Sequence, residues 1–202
     1  SLERLKCENT VLLHYFADFK SLSSLEIKFS GDWFDRDNIF MPQVTKLTIY
    51  LTYDGWLGNF AALFPNVKEL SIEIESESIE TFQGIENCSK LEKLTLNFLE
   101  YHDLVLPILK MPKLKQLHII DSPLCLRPFD FDAKKKKKLT IEVYDEGQNS
   151  FWLIDFLNHD RTNLNQLTIV SRDLKIHPFI RQVIAENRRK IKNFVVKYAK
   201  PL

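Results

Sequence analysis

Five histidines, three cysteines and one block of lysines are the residues of this 202-residue chain whose types could do chemistry alone. A metal site would need ligands at short helical or hairpin spacing, such as H-x-x-x-H. His14, His102, His118, His159 and His177 have no such spacing, so no metal is expected. A nucleophile would need a dedicated turn or a neighbouring base. Neither G-x-S-x-G nor the phosphate-cradling G-x-x-x-x-G-K-[ST] occurs, and five glycines leave little material for such loops. Cys7 and Cys88 read as buried structural thiols rather than nucleophiles, and Cys125 in "DSPLCLRPF" as an exposable one. The chain is expected to be no enzyme and to use no cofactor.

Charge offers a second kind of chemistry. The run Lys134 to Lys138 could act as a nuclear localisation signal or a phosphate-binding patch. Asp130 and Asp132 precede it, and an apolar strand follows from Leu139, so a solvated loop is the preferred reading. A second basic region, "RRKIKNFVVKYAK" late in the chain, contrasts with the acidic "IEIESESIE" in its middle, with Glu73, Glu75, Glu77 and Glu80. Such a division would steer a partner more than hold it. The net charge of +1 argues against nucleic acid as the main partner. Binding of nucleic acid or an acidic surface through the basic segments remains the alternative.

The elements that must position these residues come from one phrase, apolar-x-x-apolar-x-apolar. It reads Leu2-Leu5-Cys7, Leu22-Leu25-Ile27, Val44-Leu47-Ile49, Val67-Leu70-Ile72, Leu91-Leu94-Leu96 and Leu114-Leu117-Ile119. A degenerate Lys136-Leu139-Ile141 follows, then Leu164-Leu167-Ile169 and Ile191-Phe194-Val196. The nine copies are separated by 20, 22, 23, 24, 23, 22, 28 and 27 residues. A period in the twenties marks a solenoid. In "LTLNF", Leu94, Leu96 and Phe98 alternate with Thr95 and Asn97, which predicts a strand with one apolar face. No such strand can bury that face alone, so each must stack on its neighbours.

Between strands the apolar residues take helical spacing. "WLGNFAALF", "SIETFQGIENC", "SFWLIDFLNH" and "HPFIRQVIAENRRK" are predicted helices, the last with Pro178 in its first turn. Met41-Pro42, Phe64-Pro65 and Met111-Pro112 would end the segments before the next strands.

Composition sets the remaining bounds. The apolar fraction of 45% and charged fraction of 27% are ordinary for a globular protein. No apolar run reaches the length of a membrane span, and no signal peptide is visible. Three scattered cysteines form no disulfide framework and point to a reducing compartment, cytoplasmic or nuclear.

With its repeated leucines the chain resembles the leucine-rich repeat family over nearly its whole length. That resemblance implies an α/β horseshoe over residues 1–202: parallel strands on the concave face, helices on the convex face, about nine units. The family's asparagine after the strand is replaced by Ser30, Thr52, Glu75, Leu99 and Ser122, which predicts longer strands and irregular turns. The resemblance places partner binding on the outward strand residues Glu26, Lys28, Thr48, Tyr50, Ser71, Glu73, Thr95, Asn97, His118, Ile120, Thr140 and Glu142, with Thr168 and Val170 beyond them. Tyr50 and His118 would sit near the energetic centre. The segment "CSKLEKLTL" is most similar to the cysteine-containing repeats of F-box proteins. That implies a substrate-recruiting arm of a ubiquitin ligase, with a Skp adaptor on a segment outside these residues. A purely architectural repeat is the bland counterpart. Because the chain starts inside a repeat phrase at Leu2, it is expected to be part of a longer protein.

Overall fold

The alternating phrases do become strands. The computed structural model describes residues 2–7, 13–29, 39–51, 60–74, 85–98, 113–120, 139–145, 164–171 and 178–198. Strand β1 is Arg4–Cys7, β2 Ser24–Phe29, β3 Lys46–Leu51, β4 Glu69–Ile74 and β5 Lys93–Phe98. They are followed by β6 Gln116–Ile120, β7 Leu139–Asp145, β8 Leu164–Ser171 and β9 Ile191–Tyr198. All nine form one sheet in chain order, and every neighbouring pair is parallel. Parallel neighbours demand a crossover at each step. Eight such steps wind the chain into a solenoid.

The inward residues stack in rows. Leu25, Leu47, Leu70, Leu94 and Leu117 are register partners. Ile27, Ile49, Ile72, Leu96 and Ile119 form the next row. All ten are buried, as are Leu22, Val44, Val67, Leu91 and Leu114, the lead-in residues of the same phrases. Each such side chain stabilises by roughly 1.5–3 kcal/mol relative to exposure, so the rows form one continuous core. At the sheet margins the inward Leu5, Phe194 and Val196 are only partly buried, each having a strand on one side alone.

Strands β2 to β6 are each entered through the same corner. The Glu3 carbonyl accepts from the backbone N–H groups of both Ser23 and Ser24, at 3.0 and 3.1 Å. The carbonyls of Ser23, Thr45, Lys68 and Glu92 do the same for the next units, each taking two successive N–H groups at 2.8 to 3.1 Å. Side chains one position ahead of each phrase tie the turns together. Ser21 Oγ donates to the Leu2 carbonyl at 2.9 Å, Gln43 Nε2 to the Ala17 carbonyl at 2.9 Å, and Asn66 Nδ2 to the Pro42 carbonyl at 2.6 Å. Lys90 Nζ donates to Asn66 Oδ1. These ties stand before the strands, where the sequence pattern had directed attention after them.

The leucine-rich-repeat identification and its α/β horseshoe are corrected by the structure, which is a parallel β-solenoid. Its strands reach 8 residues and carry the core, while helix is scarce among the described residues. Helix α1 (Leu13–Phe16) and helix α2 (Phe60–Leu63) are single turns, and among the described residues only α3 (Pro178–Glu186) is longer. Of the helix expected in "WLGNFAALF" only α2 is described, and of "SIETFQGIENC" only a 3₁₀ turn at Ile85–Asn87. The predicted helix in "SFWLIDFLNH" lies outside the described residues. Leu13, Phe64 and Ile85 are buried, so apolar residues of these connections do turn inward, but the described helical turns at α1, α2 and Ile85–Asn87 are only three or four residues long. Turns of that length fall short of what an independent helix needs.

The seventh unit also sits differently from the phrase alignment. Leu117 pairs with Ile141 and Ile119 with Val143, so the phrase lies at Lys138-Ile141-Val143, two residues later than expected. Leu117 to Ile141 is then 24 residues and Ile141 to Leu167 is 26. A register irregularity follows between Leu139 and Thr140, which pair with Leu164 and Gln166 and leave Asn165 as the extra residue.

Candidate functional site

Strand parity fixes which residues face away from the core. One row runs Lys6, Glu26, Thr48, Ser71, Thr95, His118 and Glu142. The next runs Lys28, Tyr50, Glu73, Asn97 and Ile120. Ten of the expected contact residues therefore stand side by side on β2 to β6. Among them Lys28 is exposed and the other nine are partly buried. The two-residue shift of β7 moves the remaining two: Thr140 pairs with Gln116, and Glu142 with His118 rather than Ile120. Their side chains lie outside the described residues.

Tyr50 and His118 do not form one centre. Three strand steps separate β3 from β6, about 14 Å at the usual spacing. Tyr50 instead belongs to a polar network at the β1 end. Lys6 Nζ lies 2.8 Å from Glu26 Oε1 and 5.7 Å from the Tyr50 ring centroid, as ion pair and cation–π contact. The Tyr50 phenol is held above its ordinary pKa by burial first, then by the Glu26 charge and hydrogen bond, and by Glu73. Lys6 opposes that shift. Farther along, Asn97 Nδ2 donates to Glu73 Oε2 at 3.3 Å, while Asn97 Oδ1 is buried without a partner. At the strand entrances Lys115 Nζ lies 2.6 Å from Glu92 Oε2 and holds that carboxyl below its ordinary pKa, chiefly through this hydrogen bond.

The face closes toward β8. Thr168 is 0% exposed and Val170 6%, although both have outward parity. Gln166 Nε2 donates to Thr168 Oγ1 at 2.9 Å, which satisfies the buried hydroxyl. Thr168 and Val170 are thus covered within the chain, and the accessible part of the expected surface ends before them.

Other expected features fall elsewhere. Cys7 and Cys88 are buried. Cys125, Lys134 to Lys138 and Glu75, Glu77 and Glu80 lie outside the described residues. In the second basic region Arg188, Arg189, Lys192 and Lys197 are exposed, and Arg188 Nη1 donates to the Ile191 carbonyl at 3.1 Å. Among the described residues no three His, Cys, Asp or Glu side chains converge as a metal site, and no helix is long and apolar enough to cross a membrane.

Sequence reasoning did not single out the rung Lys46, Glu69 and Lys93, which lies beside the expected row. The signal was available in the charge alternation at one strand position, which pairs Lys46 Nζ with Glu69 Oε2 at 3.8 Å.

Comparison with protein-family models, curated proteins and solved structures finds no match. Because the fold is a parallel β-solenoid, the F-box likeness drawn from Cys88 is corrected together with the leucine-rich-repeat reading, and the ubiquitin-ligase arm with it. Cys88 is explained by packing alone, since it is buried in the core that every unit shares. What stands is a repeat solenoid that could present a sheet face for protein contacts.

Proposed function

We propose that this chain is a non-catalytic protein-interaction module that holds a protein partner on the outward face of β2 to β6. One observation carries the reading. Two adjacent rows of outward side chains run in register across five strands, incompletely covered, above a fully buried core. The rows mix aromatic, amphipathic and charged groups, with Tyr50, His118 and Ile120 among them, the composition that suits a partner's polar surface. A stacked sheet holds such groups with little freedom, so a partner orders few side chains on docking.

Site-specific photo-crosslinking tests this. A benzophenone side chain at Ile120 should capture a discrete protein species, and one at exposed Arg181 on α3 should not. Tyr50→Ala should weaken the Ile120 adduct. Identical adducts from both positions, or an adduct removed by nuclease, would overturn the reading. The nuclease result would favour the basic segments instead.

A further inference from the structure

On the outward side of β3, β4 and β5 two rungs of side chains frame a hollow of about 240 Å³. One rung is Lys46, Glu69 and Lys93, and the other Thr48, Ser71 and Thr95. Adjacent strands lie about 4.8 Å apart, so the three hydroxyls span roughly 10 Å in a line. Among the described residues none of these hydroxyls makes a side-chain hydrogen bond, and none is sealed from solvent. They are donors turned toward open space.

The charges beside them are unequal. Lys46 Nζ lies 3.8 Å from Glu69 Oε2, so this pair largely cancels. Lys93 stands directly across from Glu69 in the β4–β5 register, is partly buried, and forms no ion pair among the described residues. The rim therefore carries one net positive charge next to three free hydroxyls.

We propose that this hollow binds a carboxylate borne by an acidic side chain of the protein partner. The assignment rests on the interaction surface inferred above and names the group it recognises. A carboxylate offers about four acceptor sites and one negative charge. The adjacent Ser71 and Thr95 hydroxyls and the Lys93 ammonium supply donors for them, the last through a charge-assisted bond. A phosphate dianion fits less well, because its second charge would face the Glu69 carboxylate at the middle of the rung.

The probe is sodium acetate, titrated into isotopically labelled protein against sodium chloride at equal ionic strength, with backbone amide shifts as readout. Acetate should move the amides of Ser71 and Thr95 saturably, and chloride should not. Lys93→Gln should weaken acetate about tenfold, the worth of one charge-assisted hydrogen bond. Lys46→Gln, which leaves Glu69 uncompensated, should weaken it too. An unchanged spectrum elsewhere shows that each variant remains folded. Equal response to chloride, no saturation, or indifference to Lys93→Gln overturns the proposal. Tighter binding of sodium phosphate than of acetate overturns the carboxylate assignment. A chain that captures a protein through Ile120 yet ignores acetate keeps the interaction surface and loses this site.

Discussion

Asn97 and Glu73 are joined across the β4–β5 pair by a 3.3 Å hydrogen bond that uses the Asn97 amide as donor and leaves its carbonyl oxygen buried and unpaired. A buried acceptor without a partner costs about 1–3 kcal/mol. The arrangement needs a donor at position 97 and suffers if that donor becomes an acid.

Asn97→Asp should therefore destabilise the fold at pH 7 by about 1–3 kcal/mol, because two carboxylates would share one site. The like charge would raise their folded pKa values, so the deficit should shrink as pH falls toward 4. Denaturant melts at the two pH values check this, and a deficit that grows on acidification would contradict the geometry.

Leu94→Ala should cost about 2–5 kcal/mol, since Leu94 is buried between Leu70 and Leu117. Its neighbour Thr95 faces outward, and Thr95→Ala should stay within about 0.5 kcal/mol. Equal losses in urea unfolding would mean that the two faces are reversed.

Tyr50 carries the clearest pH signature. Its folded pKa is raised above 10.0, so its contribution to stability is complete below that value and is lost as pH rises through the folded value. Glu26→Gln removes a carboxylate that raises the shift, and Tyr50 should then ionise at lower pH. The tyrosinate absorbance difference between each protein and its Tyr50→Phe derivative isolates this one phenol among six tyrosines. An unchanged midpoint in Glu26→Gln would contradict the contact.

Cys7 and Cys88 should resist a thiol reagent in the native state and react on unfolding, because both are buried. Mass spectrometry of alkylated peptides reads the two sites separately. Rapid native labelling of Cys88 would show that the core opens at the Ile85–Asn87 turn.

Much of the sheet was legible because period-two alternation leaves a strand only one way to bury its apolar side. "LTIYL", "LSIEI" and "LTLNF" therefore gave both the strands and their mutual register. The seventh unit was not legible for the same reason. Leu139, Ile141 and Val143 alternate without interruption, so the phrase fits equally well two residues apart, and only pairing with Leu117 decides. Helical spacing overreached because buried Phe64, Ile85 and Cys88 lie in or beside turns of three or four residues, and spacing alone does not set the length of a helix. The outward rows followed from parity, yet parity cannot show that Thr168 is covered while Thr48 is open. Nor can it show that Lys46 pairs with Glu69 while Lys93 does not, since that depends on side-chain reach between strands.

The doubled carbonyl corner bears on how such a chain can vary in inheritance. Its paired bonds are made by the main chain, with the Ser23 and Thr45 hydroxyls adding a longer one to the Glu3 and Ser23 carbonyls, and the residues supplying the acceptors, Glu3, Ser23, Thr45, Lys68 and Glu92, share neither size nor charge. Mutation at these points therefore meets little resistance from the joint itself. Because the acceptor and the two donors recur with the same relation in these five turns, a segment copied from one corner to the next carries a complete joint with it. Gene duplication or loss in whole turns would lengthen or shorten the array without inventing a new connection, while a cut between corners would strand an acceptor from its donors.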